Sequence, residues 1–118
     1  MKRDNVVKDK SFRFAIRIVK LFQYLQSEKK EFVLSKQVLR SGTSVGAMIR
    51  EVEHSESNKD FIHKMAVAQK EINETIYWLE LLKETDYLTI DEFDSLNKEA
   101  IEIIKLLTSI IKTSKNKL

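Results

Sequence analysis

Apolar residues recur at every third or fourth position along almost the whole chain, the spacing that places side chains on one face of an α-helix. Three short connectors divide this pattern into four amphipathic stretches, which predict helices over about 9–28, 33–54, 58–85 and 90–114. Neighbouring helices joined by short connectors run antiparallel. The pattern therefore predicts an all-α protein, an up-down-up-down antiparallel four-helix bundle that forms a single domain over residues 1–118.

The predicted third and fourth helices begin with capping signals. Ser57 stands three residues before Asp60, which resembles the start of a capping box, and Thr89 with Glu92 completes one. These side chains satisfy backbone N–H groups that the first turn of a helix leaves without partners. We therefore expect both helices to start at these residues.

The first predicted helix has a wider apolar surface than the interior of one bundle requires. An exposed apolar surface of this kind usually marks an interface. The pattern thus predicts a homo-oligomer. The two neighbouring stripes of this helix consist of Phe12, Ile16 and Val19, and of Phe14, Ile18, Leu21 and Leu25.

Two glycines lie within the second predicted helix, at Gly42 and Gly46. Each costs about 1 kcal/mol relative to alanine, so a compensating gain in packing is expected. That gain could come from a neighbouring helix of the same bundle or from a helix of another subunit, and the sequence leaves both open. Trp78 lies with Tyr77 off the central stripe of the third helix, which favours packing at the bundle edge or a subunit contact over base stacking.

The composition narrows the possible environments and cofactors. The 118 residues include no cysteine and no proline, which excludes disulfides and thiolate metal sites and favours long helices joined by short turns. No apolar run is long enough to cross a membrane. The N-terminus lacks the apolar stretch of a signal peptide. We therefore expect a cytoplasmic protein with no membrane partner.

Catalytic and metal-binding patterns are sparse. Glu51-x-x-His54 matches the Glu-x-x-His element of di-iron helical bundles, and Asp60-x-x-His63 is close to it. Both pairs lie beside the second connector and off the apolar stripes, so we interpret them as solvated groups at helix ends. There is no glycine-rich phosphate loop. We expect no enzyme activity, no metal and no cofactor.

The net charge of +3 is unevenly distributed. Residues 1–30 hold nine Lys or Arg and three acids, residues 105–118 hold four Lys and no acid, and residues 51–104 hold five Lys and fourteen acids. In an antiparallel bundle the two basic segments converge at one pole, where they could contact nucleic-acid phosphates. Nearby acids could neutralise this pole, or its lysines could serve only to solubilise helix ends. The candidate nucleic-acid-binding residues are Lys8, Lys10, Arg13, Lys112, Lys115 and Lys117.

Three segments, at 39–47, 60–65 and 74–82, resemble the 23S ribosomal RNA intervening-sequence protein family. The resemblance implies a four-helix bundle that often assembles as a homopentamer. The family is similar to the accessory variability protein of diversity-generating retroelements, a basic pentamer that binds a reverse transcriptase and nucleic acid. Met48 departs from the pattern, because relatives commonly carry asparagine at that position. The resemblance supplies no catalytic residues.

These observations leave three classes of function. The first is an oligomeric bundle that binds nucleic acid, RNA or DNA, or belongs to a ribonucleoprotein. The second is a protein-interaction scaffold with a protein partner and no nucleic-acid contact, and the third, which the sequence supports least, is a metal-binding bundle. The basic pI of about 9.1 favours the first class.

Overall fold

The computed structural model describes the backbone of residues 2–117 and the side chains of residues 5–117. It contains four α-helices, and the described residues form no β-strand. A 3₁₀ turn, Val52–His54, continues the second helix. The predicted all-α four-helix bundle is confirmed. The helices are α1 (Lys2–Ser27), α2 (Leu34–Glu51), α3 (Asn58–Glu84) and α4 (Ile90–Lys115).

The four helices form an elongated bundle of 48 × 22 × 19 Å. Within the described chain, α2 packs against α1 and α3, and α4 packs against the same two helices. α1 therefore lies diagonally opposite α3. None of the helices that the structure describes is both long enough and apolar enough to span a membrane.

α1 is longer than its pattern predicted, because it begins at Lys2 instead of near residue 9. Val7 explains the extension, since it is completely buried and lies seven residues, two helical turns, before Phe14. A single valine in a polar stretch is a weak signal. The prediction therefore started where the dense apolar stripes start.

The two apolar stripes of α1 have different environments. Phe14, Ile18 and Leu25 are completely buried in the core. The other stripe lies outside, where Phe12 is 49% exposed, Ile16 41% and Val19 38%. The bundle thus buries one of the two stripes of α1 almost completely, and the other stripe remains partly exposed and free to contact another molecule.

Both glycines of α2 face α1 of the same chain. A Cβ atom at Gly42 would lie 2.8 Å from two side-chain carbons of Ile18, and one at Gly46 would lie 3.4 Å from the carbonyl oxygen of Ser11. Ile18 is itself completely buried. The two glycines therefore let α1 and α2 approach each other closely within one bundle.

The predicted capping of α3 and α4 is confirmed. Ser57 Oγ accepts a hydrogen bond of 3.0 Å from the backbone N–H of Asp60. Thr89 and Glu92 exchange side-chain and backbone hydrogen bonds of 3.1 and 2.8 Å, the reciprocal arrangement of a capping box. Local sequence signals thus mark where these two helices start.

The start of α2 is stabilised by a residue that the sequence did not reveal. Glu31 is only 9% exposed, and its carboxylate accepts hydrogen bonds from the backbone N–H groups of Ser35 (2.7 Å) and Val33 (3.3 Å). Burial acts to raise the pKa of Glu31, but hydrogen bonds from these N–H groups and that of Leu34 outweigh burial and lower the pKa. The negative charge also lies at the positive end of the α2 dipole.

Candidate nucleic-acid interface

The predicted convergence of both basic segments occurs at one end of the bundle. Lys8 of α1 forms an ion pair with Glu53 in the 3₁₀ turn that follows α2. Asn58 Nδ2, at the start of α3, donates a 2.9 Å hydrogen bond to the carbonyl oxygen of Ser114 near the end of α4. We call this end, where α1 and α3 begin and α2 and α4 finish, the basic pole.

The three candidate cations of α1 all have acidic partners. Lys8 pairs with Glu53, and the hydrogen bond and charge of Lys8 lower the pKa of that carboxyl group. Lys10 Nζ lies 3.0 Å from Glu102 Oε2. Arg13 lies 3.2 Å from Asp9 on the same helix. Each of these three cations is therefore offset by an acid.

Lys10 and Arg13 belong to a small groove between α1 and α4, of about 100 Å³. Glu99 and Glu102 line the same groove, and Glu99 also pairs with Arg17. We call it the α1/α4 groove. Its lining residues are Lys10, Arg13, Glu99, Glu102 and Ile103.

The opposite side of α4 carries a larger groove with a different charge. It lies between α3 and α4 and encloses about 360 Å³. Its two cations are Lys112 and Lys115, both exposed, and no described residue forms a salt bridge with either. We call it the lysine groove. Its lining residues are Gln69, Thr108, Ile111, Lys112, Lys115 and Asn116.

The polar groups of the lysine groove suit a phosphate ligand. Gln69 Nε2 donates a 2.8 Å hydrogen bond to Thr108 Oγ1, which connects α3 and α4 across the groove. The lining contains no carboxylate. Lys117 is exposed just beyond the end of α4 and adds a further positive charge. Of the six predicted nucleic-acid-binding residues, the structure thus leaves three without an acidic partner among the described residues.

The residues of the two Glu-x-x-His-like pairs lie near the end of α2 and the start of α3. Asp60 accepts hydrogen bonds from Lys64 (2.9 Å) and from the backbone N–H of Glu56 (3.1 Å), and these bonds lower its pKa. His54 and His63 are exposed. Over the side chains that the structure describes, no three His, Asp or Glu residues lie close enough to hold a metal ion.

Trp78 takes part in a polar network between α2 and α3. Its Nε1 donates a 3.3 Å hydrogen bond to Glu74, which also pairs with Arg40 of α2. Arg40 lies 3.4 Å from Glu71 as well. Tyr77 packs edge-on against Trp78, with ring centroids 5.1 Å apart, and is 55% exposed.

Two further buried side chains continue this network. Thr75 Oγ1 donates a 2.9 Å hydrogen bond to Ser41 Oγ, and both residues are completely buried. Residues 39–47 and 74–82, which carry the family resemblance, therefore contact each other across the α2/α3 boundary. The sequence did not predict this network, because the glutamates that Arg40 contacts lie more than 30 positions away along the chain.

Comparison with known proteins places the fold. Residues 3–109 match the family described as 23S rRNA-intervening sequence protein. The chain is also similar to the crystal structure of a protein of unknown function from the S23 ribosomal protein family of Bacteroides thetaiotaomicron VPI-5482. The two share 60% identity with a TM-score of 0.92, over 93% of this chain and 98% of that one. No curated protein matches the sequence.

Proposed function

The chain belongs to the 23S rRNA-intervening sequence protein family, and we propose that it is a non-catalytic, self-associating bundle that binds RNA through the phosphate backbone. The observation that carries the proposal is the lysine groove, in which Lys112 and Lys115 face solvent without a carboxylate in the lining. Binding of phosphates to lysines releases condensed counterions, which supplies most of the affinity of sequence-independent binding.

The non-catalytic part of the proposal is supported by how the partly buried carboxylates are used. Glu71, Glu74, Glu99 and Glu102 all form ion pairs with Lys or Arg side chains of a neighbouring helix. A carboxylate held in this way is poorly placed to act as a general base.

Self-association is supported by the exposed stripe of Phe12, Ile16 and Val19, and the family resemblance favours a homopentamer. In a cyclic assembly the lysine groove would repeat around the ring, and its phosphate contacts would multiply. Light scattering on a sizing column should give a mass several times the chain mass of 13.9 kDa. A monomer at all accessible concentrations would contradict this part of the proposal.

The experiment for RNA binding compares two variants that lose equal charge. Lys112→Gln/Lys115→Gln/Lys117→Gln removes the unpaired cations, and Lys8→Gln/Lys10→Gln/Arg13→Gln removes the paired ones. Each phosphate contact contributes about 0.7 to the slope of log affinity against log salt, or about fivefold in affinity at 0.1 M salt. The first variant should lose at least tenfold in affinity for a structured RNA and show a shallower slope, whereas the second should change affinity less than threefold.

Circular dichroism and light scattering serve as controls, because both variants must stay helical and oligomeric. Equal losses in both variants would show that net charge alone matters and would remove the lysine groove as the site. Absence of binding to any RNA at low salt would remove RNA binding altogether.

A protein-interaction scaffold is the second candidate function. It is favoured by the exposed apolar side chains of Phe12, Ile16, Val19 and Tyr77. If the sequence resemblance extends to the accessory variability protein of diversity-generating retroelements, a reverse transcriptase would be one such protein partner. This function moves to first place if the RNA titration shows no binding.

A further inference from the structure

The outer face of α4 has a regular row of exposed side chains. Successive members are alternately three and four residues apart, so they form one stripe along the helix. All of them are exposed, and the last three belong to the lining of the lysine groove. We call this row the α4 track. It consists of Lys98, Ile101, Lys105, Thr108, Lys112 and Lys115.

The α4 track is cationic along its whole length. Four of its members are lysines, and none of the four forms a salt bridge with a residue that the structure describes. The acids in the middle of α4 lie on a different side of the helix, where Glu99 pairs with Arg17 and Glu102 with Lys10 of α1. These pairs leave the charges of the track available to an external anion.

Apolar surface lies between the lysines of the track. Ile101 is 37% exposed and stands between Lys98 and Lys105. Ile111 is half-buried and lines the lysine groove. The faces of RNA bases are accessible in a single strand, whereas a duplex stacks them in its interior. The track therefore offers cations to phosphates and apolar contacts to bases, a combination typical of surfaces that bind single strands.

The lysine groove at the end of the track has room for one base. Its volume of about 360 Å³ lies within the range of about 300–1,000 Å³ that is usual for small-molecule sites. The amide side chains of Gln69 and Asn116 belong to its lining. An amide can both donate and accept hydrogen bonds, as the edge of a base requires.

We propose that the α4 track binds one single-stranded segment of RNA, with phosphates on its lysines and one base in the lysine groove. This inference rests on the RNA binding proposed above, and it specifies the form of the RNA and its path. Lys98 and Lys105 become binding residues, although both lie outside the lysine groove and outside the basic pole.

The shape of the track favours a single strand over a duplex. The lysines lie along a straight helix, whereas each backbone of a duplex winds around the axis and leaves a straight line after a few phosphates. The deep and narrow major groove of an RNA duplex also excludes a protein helix. A flexible single strand can follow the whole row.

The length of the track sets the length of the strand that it binds. Lys98 and Lys115 are 17 positions apart. This separation corresponds to about 25 Å of helix, at about 1.5 Å per residue. A stacked strand has one phosphate about every 3.4 Å, so about eight nucleotides cover the track and about four cover half of it.

The first experiment titrates unstructured RNA strands of about four and about eight nucleotides at several salt concentrations, with fluorescence anisotropy as the readout. Each lysine that contacts a phosphate contributes about 0.7 to the slope of log affinity against log salt. The longer strand should therefore give about twice the slope of the shorter one. Equal slopes for the two strands would overturn the proposed path.

The second experiment removes the half of the track that lies outside the lysine groove. Lys98→Gln/Lys105→Gln should weaken binding of the longer strand about tenfold or more at 0.1 M salt and flatten its salt dependence. Binding of the shorter strand should change less than threefold, because that strand can still occupy the lysine groove.

Lys29→Gln/Lys36→Gln is the matched control, since it removes two exposed lysines near the connector between α1 and α2 that form no salt bridge with a described residue. Its affinity for both strands should change less than threefold. A loss equal to that of Lys98→Gln/Lys105→Gln would overturn the track, because net charge alone would then explain the effect. All substituted lysines are exposed, so circular dichroism and light scattering should match the wild type.

The outcomes separate this path from the proposed function. If the wild-type protein binds no RNA at low salt, both proposals fail. If Lys112→Gln/Lys115→Gln/Lys117→Gln weakens binding of the longer strand and Lys98→Gln/Lys105→Gln does not, only the α4 track fails.

A comparison with a duplex tests the form of the RNA. A hairpin with about eight base pairs has twice the phosphate density of the single strand of the same length, so charge alone favours the hairpin. The single strand should nevertheless bind at least threefold more tightly, because only its bases and its flexible backbone fit the track. Equal or tighter binding of the hairpin would overturn the single-strand inference and leave phosphate binding by the lysine groove in place.

Discussion

The two grooves on either side of α4 each contain two cations, but only one of them also contains acids, so their net charges differ. In the α1/α4 groove, Lys10 and Arg13 face Glu99 and Glu102, whereas no acid lines the groove that holds Lys112 and Lys115. The groove with acids encloses about 100 Å³ and the other about 360 Å³. A single helix thus has one neutralised side and one cationic side.

The difference shows that a basic segment becomes a binding surface only where the facing helix leaves its charges unpaired. The N-terminal segment has more cations in sequence than the C-terminal one. Its Lys8 and Lys10 are nevertheless neutralised by residues more than 40 positions away along the chain. The electrostatic potential at the surface therefore depends on which charged side chains of neighbouring helices face each other.

Introduction of two glutamates into the lysine groove should have the largest effect on RNA affinity. Thr108→Glu and Asn116→Glu place carboxylates four residues before and after Lys112, the spacing of helical ion pairs. Neutralising two phosphate-binding cations should weaken RNA binding about tenfold or more at 0.1 M salt and flatten the salt dependence. A filter-binding titration at several salt concentrations measures both quantities.

Ser27→Glu/Gln37→Glu is the matched control for that variant. It adds the same two negative charges at exposed positions on α1 and α2. Its RNA affinity should change less than threefold. Similar losses in both variants would mean that the total charge controls binding and the location of the lysines does not.

Removal of the acids from the α1/α4 groove should change the RNA affinity by a smaller factor. Glu99→Gln/Glu102→Gln removes the acids that face Lys10 and Arg17 across the α1/α4 groove. One or two additional cations become available to phosphates, so RNA affinity should rise about three- to fivefold and the salt dependence should steepen. An unchanged affinity and slope would show that RNA never approaches this side of α4.

The helices, two of their caps and the basic pole could be predicted from the sequence, whereas the pairing of the individual lysines could not. Local signals sufficed for the number of helices and for the caps at Ser57 and Thr89, but not for the start of α1. Apolar periodicity and capping depend on residues within a few positions. The pole was also predictable, because antiparallel topology brings the chain ends together. The pairing of each lysine depends on how the helices are rotated about their own axes in the bundle, and the sequence does not specify this rotation.

Glu31 shows the same limit at the opposite end of the bundle. It lies between the predicted ranges of the first two helices, yet its side chain is buried and caps α2. The residue before the helix, Val33, has no capping side chain. Capping from outside the standard position has no short-range sequence pattern, so it became visible only in the structure.

Glu31 also gives a pH-dependent prediction, because its charge is matched by N–H groups and not by a cation. Glu31→Gln should lower the free energy of unfolding at pH 7 by about 1 kcal/mol, the usual value of a helix cap. The folded-state pKa lies below the ordinary value of 4.5, so this stabilisation is complete above that pH and is lost as the pH falls through the lower, folded-state pKa. Urea denaturation at several pH values between about pH 3 and about pH 7 measures the difference. A difference that grows on acidification would contradict this assignment.

The smallest effect should come from the pair that neutralises the α1/α4 groove. Lys10 and Glu102 are each 42% exposed and 3.0 Å apart, so water screens their attraction and their long side chains lose entropy when they pair. A double-mutant cycle with Lys10→Gln and Glu102→Gln should therefore give a coupling free energy of about 0.5 kcal/mol or less, and less still in high salt. The RNA titration should be more sensitive to Glu102→Gln than the urea denaturation, because the carboxylate acts on the charge of the surface more than on the stability of the fold. A coupling above roughly 1.5 kcal/mol would exceed that of an exposed pair. It would show that the acids of the α1/α4 groove stabilise the packing of α1 against α4. Their main role would then be in the stability of the fold and not in the charge of the surface.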